Sequence, residues 1–188
     1  MTNTKTDLKT RLKNANSLLM ITHGSKIHHA VIDILKIVIK EGSRGVYISI
    51  NKPHKTIDEN LTHEKINTKN IFYIDCITAL AHHVPHERGG RVLYADHPSD
   101  LTTRGVVPMA INQFVLSVPG KKFILIDALR TLFLYNEPDV VARFVGLLIE
   151  KYAKLNTKII VLTRAEDETT LIDDISYLFD EVLELEYD

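Results

Sequence analysis

The sequence predicts an α/β fold, a three-layer α/β/α arrangement around a mainly parallel central sheet, and three observations carry that expectation. Short runs such as Phe123-Ile124-Leu125-Ile126 are apolar at every position, as strands buried on both faces are. Between such runs stand segments whose apolar residues recur every three or four positions, the period of an amphipathic helix. The two kinds alternate along nearly all of the 188 residues, a pattern that favours parallel strands joined by helical crossovers. That length suits one well-buried core better than two. The expected organisation is a polar N-terminal arm or short helix over residues 1–17 and a single α/β domain over 18–188.

Residues 1–17 are polar and basic, with Leu8 and Leu12 as anchors. Leu18 to Thr22 is the first strand. His23-Gly24-Ser25 interrupts it, and Ile27, Ala30, Val31, Ile34, Leu35 and Val38 then follow helical spacing up to Lys40-Glu41-Gly42, a suitable helix end. Gly45 to Ile50 is the second strand, closed by Asn51-Lys52-Pro53-His54. Thr56 to Glu64 reads as a short helix with Ile57 and Leu61 on one face, and Ile71 to Cys76 as the third strand. Residues 77–90 have no steady period and read as an exposed loop. Arg91 to Ala95 is the fourth strand.

Ser99 or Asp100 is placed to cap a helix running towards Val118, with Pro108 bending it or delaying its start. Phe123 to Asp127 is the fifth strand, followed by the apolar Leu132-Phe133-Leu134-Tyr135. Glu137-Pro138-Asp139 opens a long helix reaching Leu155, Lys158 to Thr163 is the sixth strand, and Glu168 to Leu178 is a helix. Phe179 to Glu186 alternates apolar and acidic residues, as an edge strand with one wet face does.

Composition narrows the function classes. Hydrophobic residues are 45%, charged residues 25%, and the formal net charge is −1, so no overall charge bias points to nucleic acid or an anionic membrane surface. Cys76 is the single cysteine, which rules out an internal disulfide. The opening MTNTKTDLKTRLKNANS has no apolar run after its basic residues, and the longest apolar stretches are far below spanning length. A cytoplasmic protein is the expectation.

Asp127 sits at the carboxyl end of its strand, where open α/β sheets place ligands. In a nucleotide-hydrolysing enzyme an acid there holds Mg²⁺; the plainer reading is that Asp127 ends the strand and helps cap the segment that follows. "GVYISINKP" after a glycine-ended helix, "IFYIDCITA", "FILIDALRTL" and "KIIVLTR", in that order, resemble the core of RecA-like ATPases. They look most like the small single-domain KaiC-like proteins of archaea. The resemblance implies RecA-like P-loop NTPase topology over nearly the whole chain, with the phosphate-binding loop after the first strand.

That loop departs from the family pattern G-x-x-x-x-G-K-[ST]. The chain has Thr22-His23-Gly24-Ser25-Lys26-Ile27-His28-His29: one glycine remains, and Ile27 stands where a hydroxyl would bind Mg²⁺. The family's acid pair after the second strand is replaced by Asn51-Lys52, neither of which is a carboxylate base. The resemblance therefore implies a catalytically degenerate member with no catalytic residues, no metal and no cofactor. A vestigial nucleotide site would use Gly24, Ser25, Lys26 and Asp127. Weak ATP and Mg²⁺ binding with slow or no hydrolysis is the alternative.

Other constellations are less specific. His82, His83 and His86 with Glu87 suit zinc or nickel, yet lack a second ligand pair. Asp75 and Asp127 would form a two-carboxylate rim if their strands were close, one of His28 and His29 would face the pocket beside Asp127, and Asp96-His97 adds a further acid at the same edge. No G-x-S-x-G elbow and no dinucleotide glycine fingerprint is present. Lys9, Arg11 and Lys13 form a small basic patch without interleaved aromatics, so nucleic acid is not expected as a partner. Leu132 to Tyr135 either packs under the next helix or forms an interaction surface. The expected partners are another protein or a second copy of the chain, with no membrane.

Overall fold

The structure is a computed structural model that describes residues 4–81, 90–99, 105–166 and 169–187. Seven strands form one sheet: β1 (Ser17–Thr22), β2 (Arg44–Ser49), β3 (Ile71–Asp75), β4 (Val92–Tyr94), β5 (Lys122–Ile126), β6 (Thr157–Arg164) and β7 (Glu181–Leu185). Their order across the sheet is β4-β3-β2-β5-β6-β1-β7, and every pair is parallel. The helices are α1 (Thr4–Asn14), α2 (Ile27–Lys40), α3 (His54–His63), α4 (Thr78–Ala81), α5 (Val106–Ser117), α6 (Leu129–Tyr135), α7 (Pro138–Tyr152) and α8 (Thr169–Ser176). The expected three-layer α/β/α architecture is the observed one.

Strand periodicity divides the core in two. Leu18, Met20, Tyr47, Phe123, Leu125, Ile160 and Leu162 point to one face, where α1, α2 and α3 cover them. Leu19, Val46, Ile48, Ile124, Ile126, Ile159 and Val161 point to the other, beneath α5, α6, α7 and α8. The inner strands are apolar throughout because both faces are covered. Among the described residues β7 has only β1 beside it; it buries Leu183 and Leu185 and leaves Val182 and Glu184 exposed, the wet-faced edge its alternation predicts. Gly45 is a close approach: a Cβ there would lie 2.3 Å from the Phe123 ring on the neighbouring strand.

Local chemistry accounts for the departures from the expected elements. The N-terminal segment is a full helix whose Leu8 and Leu12 are buried against α2 in the same core as Ala30 and Ile34. A single helical turn, α4, forms inside the stretch expected to be loop, because Asp75 accepts the N–H groups of Ile77 and Thr78 at its start. α5 starts only at Val106, past Ser99 and Asp100, the later start expected near Pro108, which occupies the first turn, where its missing N–H is not needed. Ser99 lies outside α5, whose N-cap is Gly105. Asp100 and the histidines at 82, 83 and 86 with Glu87 fall outside the described residues. Leu132 is buried and Phe133 half-buried on α6, in the core they share with α7, while Leu134 and Tyr135 stay exposed at its end, so that segment divides between packing and surface.

Candidate functional site

All-parallel strands bring the turns after β1, β2, β3, β5 and β6 to one edge of the sheet, the edge where such folds bind ligands. β6 separates β1 from β5, and β2 separates β5 from β3. The loop after β1 is therefore two strands from Asp127, and Asp127 two strands from Asp75.

The loop after β1 is short. His23 is extended, Gly24 takes φ +57°, and Gly24–Lys26 makes one 3-10 turn that runs directly into α2. No side chain caps that helix start. The N–H of Gly24 donates instead to Glu166 Oε1 at 2.7 Å, from the segment that follows β6. That bond is the main reason the Glu166 carboxyl sits below its ordinary range, with His23 and Arg164 adding to it. The N–H of Lys26 returns to the His23 carbonyl, and His23 Nε2 meets Glu184 Oε1 at 2.7 Å. Two backbone donors that a phosphate-binding loop would offer a ligand are thus engaged by the chain itself.

Asp127 belongs to a neighbouring cleft, walled by Ile27 and His28 of α2, Tyr47, Asn51, Lys52 and α3. Of the four residues expected to form the nucleotide site, only Asp127 lines it. The cavity is about 70 Å³, small beside the ~300–1,000 Å³ of a typical ligand pocket. Tyr47, buried two residues before the end of β2, donates its hydroxyl to Asp127 Oδ2 at 2.6 Å. Asp127 Oδ1 is closed to solvent and makes no hydrogen bond, and the same holds for Ser49 Oγ. Burial raises the Asp127 carboxyl to about 6 against the opposing pull of the Tyr47 hydroxyl, its own backbone N–H, the Lys52 ammonium and the Ile50 backbone. Beside it burial, with Lys52 and His29, lowers the His28 imidazole. The result is a poorly solvated acid next to a cation.

Asp75 is built differently. It is fully buried and accepts from the N–H groups of Ile77 and Thr78, the Thr78 hydroxyl, and both the backbone N–H and Nδ1 of His54. Burial alone would raise its carboxyl; the hydrogen bonds from His54, Thr78 and Ile77 outweigh it and leave the group below its ordinary value. Asp75 and Asp127 share the sheet edge without sharing a site, because each carboxyl turns to its own partners.

Sequence reasoning missed Tyr47, Glu166 and His54. Tyr47 had a legible signal, since an aromatic with a polar tip two residues before a strand's end shares that end's face. Glu166 had none, as its partner is 142 residues away.

Fold and edge geometry define a three-layer α/β/α protein with the mainly parallel sheet of RecA-like P-loop NTPase topology. More particularly, it shares the fold of KaiC-like archaeal proteins. A KaiC-like protein of Pyrococcus horikoshii superposes with a TM-score of 0.59 at 13% identity, over 90% of this chain and 70% of that one. An uncharacterized P. horikoshii protein, solved in complex with an unknown peptide, gives 0.65 at 12% identity over 95% and 82%. A third protein of that organism gives 0.56 at 11% identity over 91% and 82%. No family model and no curated protein matches the sequence. Among the described residues, no helix is long and apolar enough to cross a membrane.

Proposed function

We propose that the chain is a catalytically degenerate KaiC/RecA-like domain that acts as a regulatory or scaffolding interaction protein and does not hydrolyse ATP. The observation that carries this reading is the Glu166 carboxylate on the Gly24 N–H at 2.7 Å. An anion-binding helix start already neutralised by an internal anion repels a second one. Ile27 brings no hydroxyl to Mg²⁺, and Asn51 and Lys52 follow β2 where a carboxylate base would be required. An interaction role is supported by Leu134, 69% exposed, and Tyr135 beside it at the end of α6. It is also supported by the structural neighbour solved with a peptide. A cytoplasmic, archaeal setting completes the proposal, in keeping with the organism of those neighbours.

Calorimetric titration with ATP and ADP, with and without Mg²⁺, tests the reading on the wild-type protein and on Glu166→Gln. No heat from the wild type up to millimolar nucleotide, beside a responding control ATPase, is the expected result. Micromolar, Mg²⁺-dependent binding would overturn it in favour of a nucleotide binder using Lys26 and Asp127. Binding by Glu166→Gln alone would make that one carboxylate the whole of the block.

A further inference from the structure

The outer helices α5 and α7 cover the same core, and the Tyr152 hydroxyl ties them together by donating to Asn112 Oδ1 at 3.2 Å. Between them runs a groove of about 190 Å³, lined by Pro108, Met109, Asn112, Phe144, Leu147 and Leu148. A surface helix ordinarily carries charge on the face turned away from the core. α5 carries no charged residue along its whole length. Its outward positions hold Met109, 63% exposed, and Leu116, 67% exposed, with Gln113 between them. Leu147 of α7, 43% exposed, lines the same groove as Met109. An uncharged outer helix beside an open apolar groove describes a surface that a partner covers.

The charge order along α7 identifies that partner. Asp139, Arg143, Leu147 and Glu150 are all exposed and recur every three or four residues, so they form one stripe along the helix. Lys154, also exposed, extends the stripe into the 3-10 turn that follows. The stripe reads acid, base, leucine, acid, base. Laid antiparallel on a copy of itself, it sets every charge against its opposite and leucine against leucine. A parallel arrangement would set like on like throughout. Asp139 and Arg143 already pair along the helix, but both stay exposed, and such a surface pair is weak enough to be shared. Lys151, the remaining charge on that side, stands over its own Tyr152 ring at 5.2 Å.

We propose that a second copy of this chain covers the surface, the two α7 helices crossing antiparallel at Leu147 about a two-fold axis. Asp139 then meets Lys154 of the second copy, Arg143 meets its Glu150, and the Met109–Leu116 ridges of α5 close over the grooves on either side. A two-fold contact uses each pairing twice, so ion pairs border an apolar centre on both sides, as charged rims border the core of other interfaces. The end of α6 and the loop after β1 take no part in it.

Sedimentation velocity and light scattering on the full chain, from about 1 µM to about 200 µM, test this. A dimer with a micromolar dissociation constant is expected, weaker at about 0.5 M salt than at about 0.05 M. Leu147→Glu sets two carboxylates at the axis and should raise the dissociation constant about tenfold or more. Arg143→Glu and Glu150→Arg should each weaken the dimer about fivefold, and both together in one chain should restore it, because the reversed pair is complementary again. All three positions are exposed, so the variants keep the fold, which urea unfolding verifies. Three results would each overturn the proposal: a monomer at every concentration, a dimer that Leu147→Glu leaves intact, or a double variant that dimerises no more tightly than either single one.

Discussion

Asp127→Asn isolates the energetic consequence of a buried acid with one unbonded oxygen. In the folded chain the Asp127 carboxyl is raised from 3.8 to about 6, chiefly by burial. The folded state therefore takes up this proton at higher pH than the unfolded state does. Below both values the group is neutral in either state and costs nothing. As pH rises through the window from about 4 to about 6, the unfolded chain ionises first and stability falls; above it both states are ionised and the loss is complete. Two pKa units correspond to about 3 kcal/mol. Asparagine keeps an oxygen for the Tyr47 hydroxyl and carries no charge, so the variant lacks that loss. Urea unfolding of both proteins from pH 4 to pH 8 measures the effect as a difference, which cancels the other titrating groups. Asp127→Asn should equal the wild type within about 1 kcal/mol at pH 4 and exceed it by about 2–3 kcal/mol at pH 8. Equal pH slopes in the two proteins, or a variant less stable at pH 8, would refute the account of Asp127 as a strained buried acid.

Two further substitutions address the frame itself. Gly45→Ala places a Cβ 2.3 Å from the Phe123 ring and should cost about 1–3 kcal/mol of unfolding free energy; the cost should shrink in a Phe123→Leu background, and equal costs in both backgrounds would rule out the contact as the cause. Asp75→Asn loses the charge that accepts five hydrogen bonds and should destabilise by about 3–5 kcal/mol at pH 7. Because the Asp75 carboxyl lies below its ordinary value, its contribution is present above the unfolded value and is lost as pH falls below about 4. The gap between wild type and variant should therefore close in acid, which urea unfolding at pH 3 and pH 7 would show.

The parts of this structure legible in the sequence are those set by local periodicity. Phe123 to Ile126 has to be a strand covered on both faces, and the spacing of Ile34, Leu35 and Val38 has to be a helix, whatever surrounds them. Pro108 marked a late helix start rather than a break, because the first turn of a helix tolerates proline. The stretch after Asp75 misled because α4 is held by a carboxylate outside it rather than by its own period. At the candidate sites the residue types were legible and their partners were not. Asp127 could be placed at a strand's end, but the Tyr47 hydroxyl reaches it from 80 residues away, and Glu166 reaches Gly24 from 142. Such pairings depend on strand order, which periodicity does not encode.

Buried polar groups in this chain divide by whether the fold uses them. Asp75 has all its bonding met by neighbours, so the fold alone accounts for it. Asp127 Oδ1 has no hydrogen-bond partner among the described residues, and asparagine would serve stability at least as well in its place. Asp127 and Tyr73 lie on the same face of the sheet, and α3 walls both the Asp127 cleft and a second cleft lined by Asp58, Tyr73 and Arg91. Ile57 and Leu61 fasten that helix to the core, while Asn60 looks into the Asp127 cleft and Asp58 into the other. α3 is a ten-residue helix tethered by two buried side chains. Filling one cleft therefore bears on the shape of the other, and Tyr73→Phe combined with Asp127→Asn should show a coupling energy of about 0.5 kcal/mol or more if α3 transmits it.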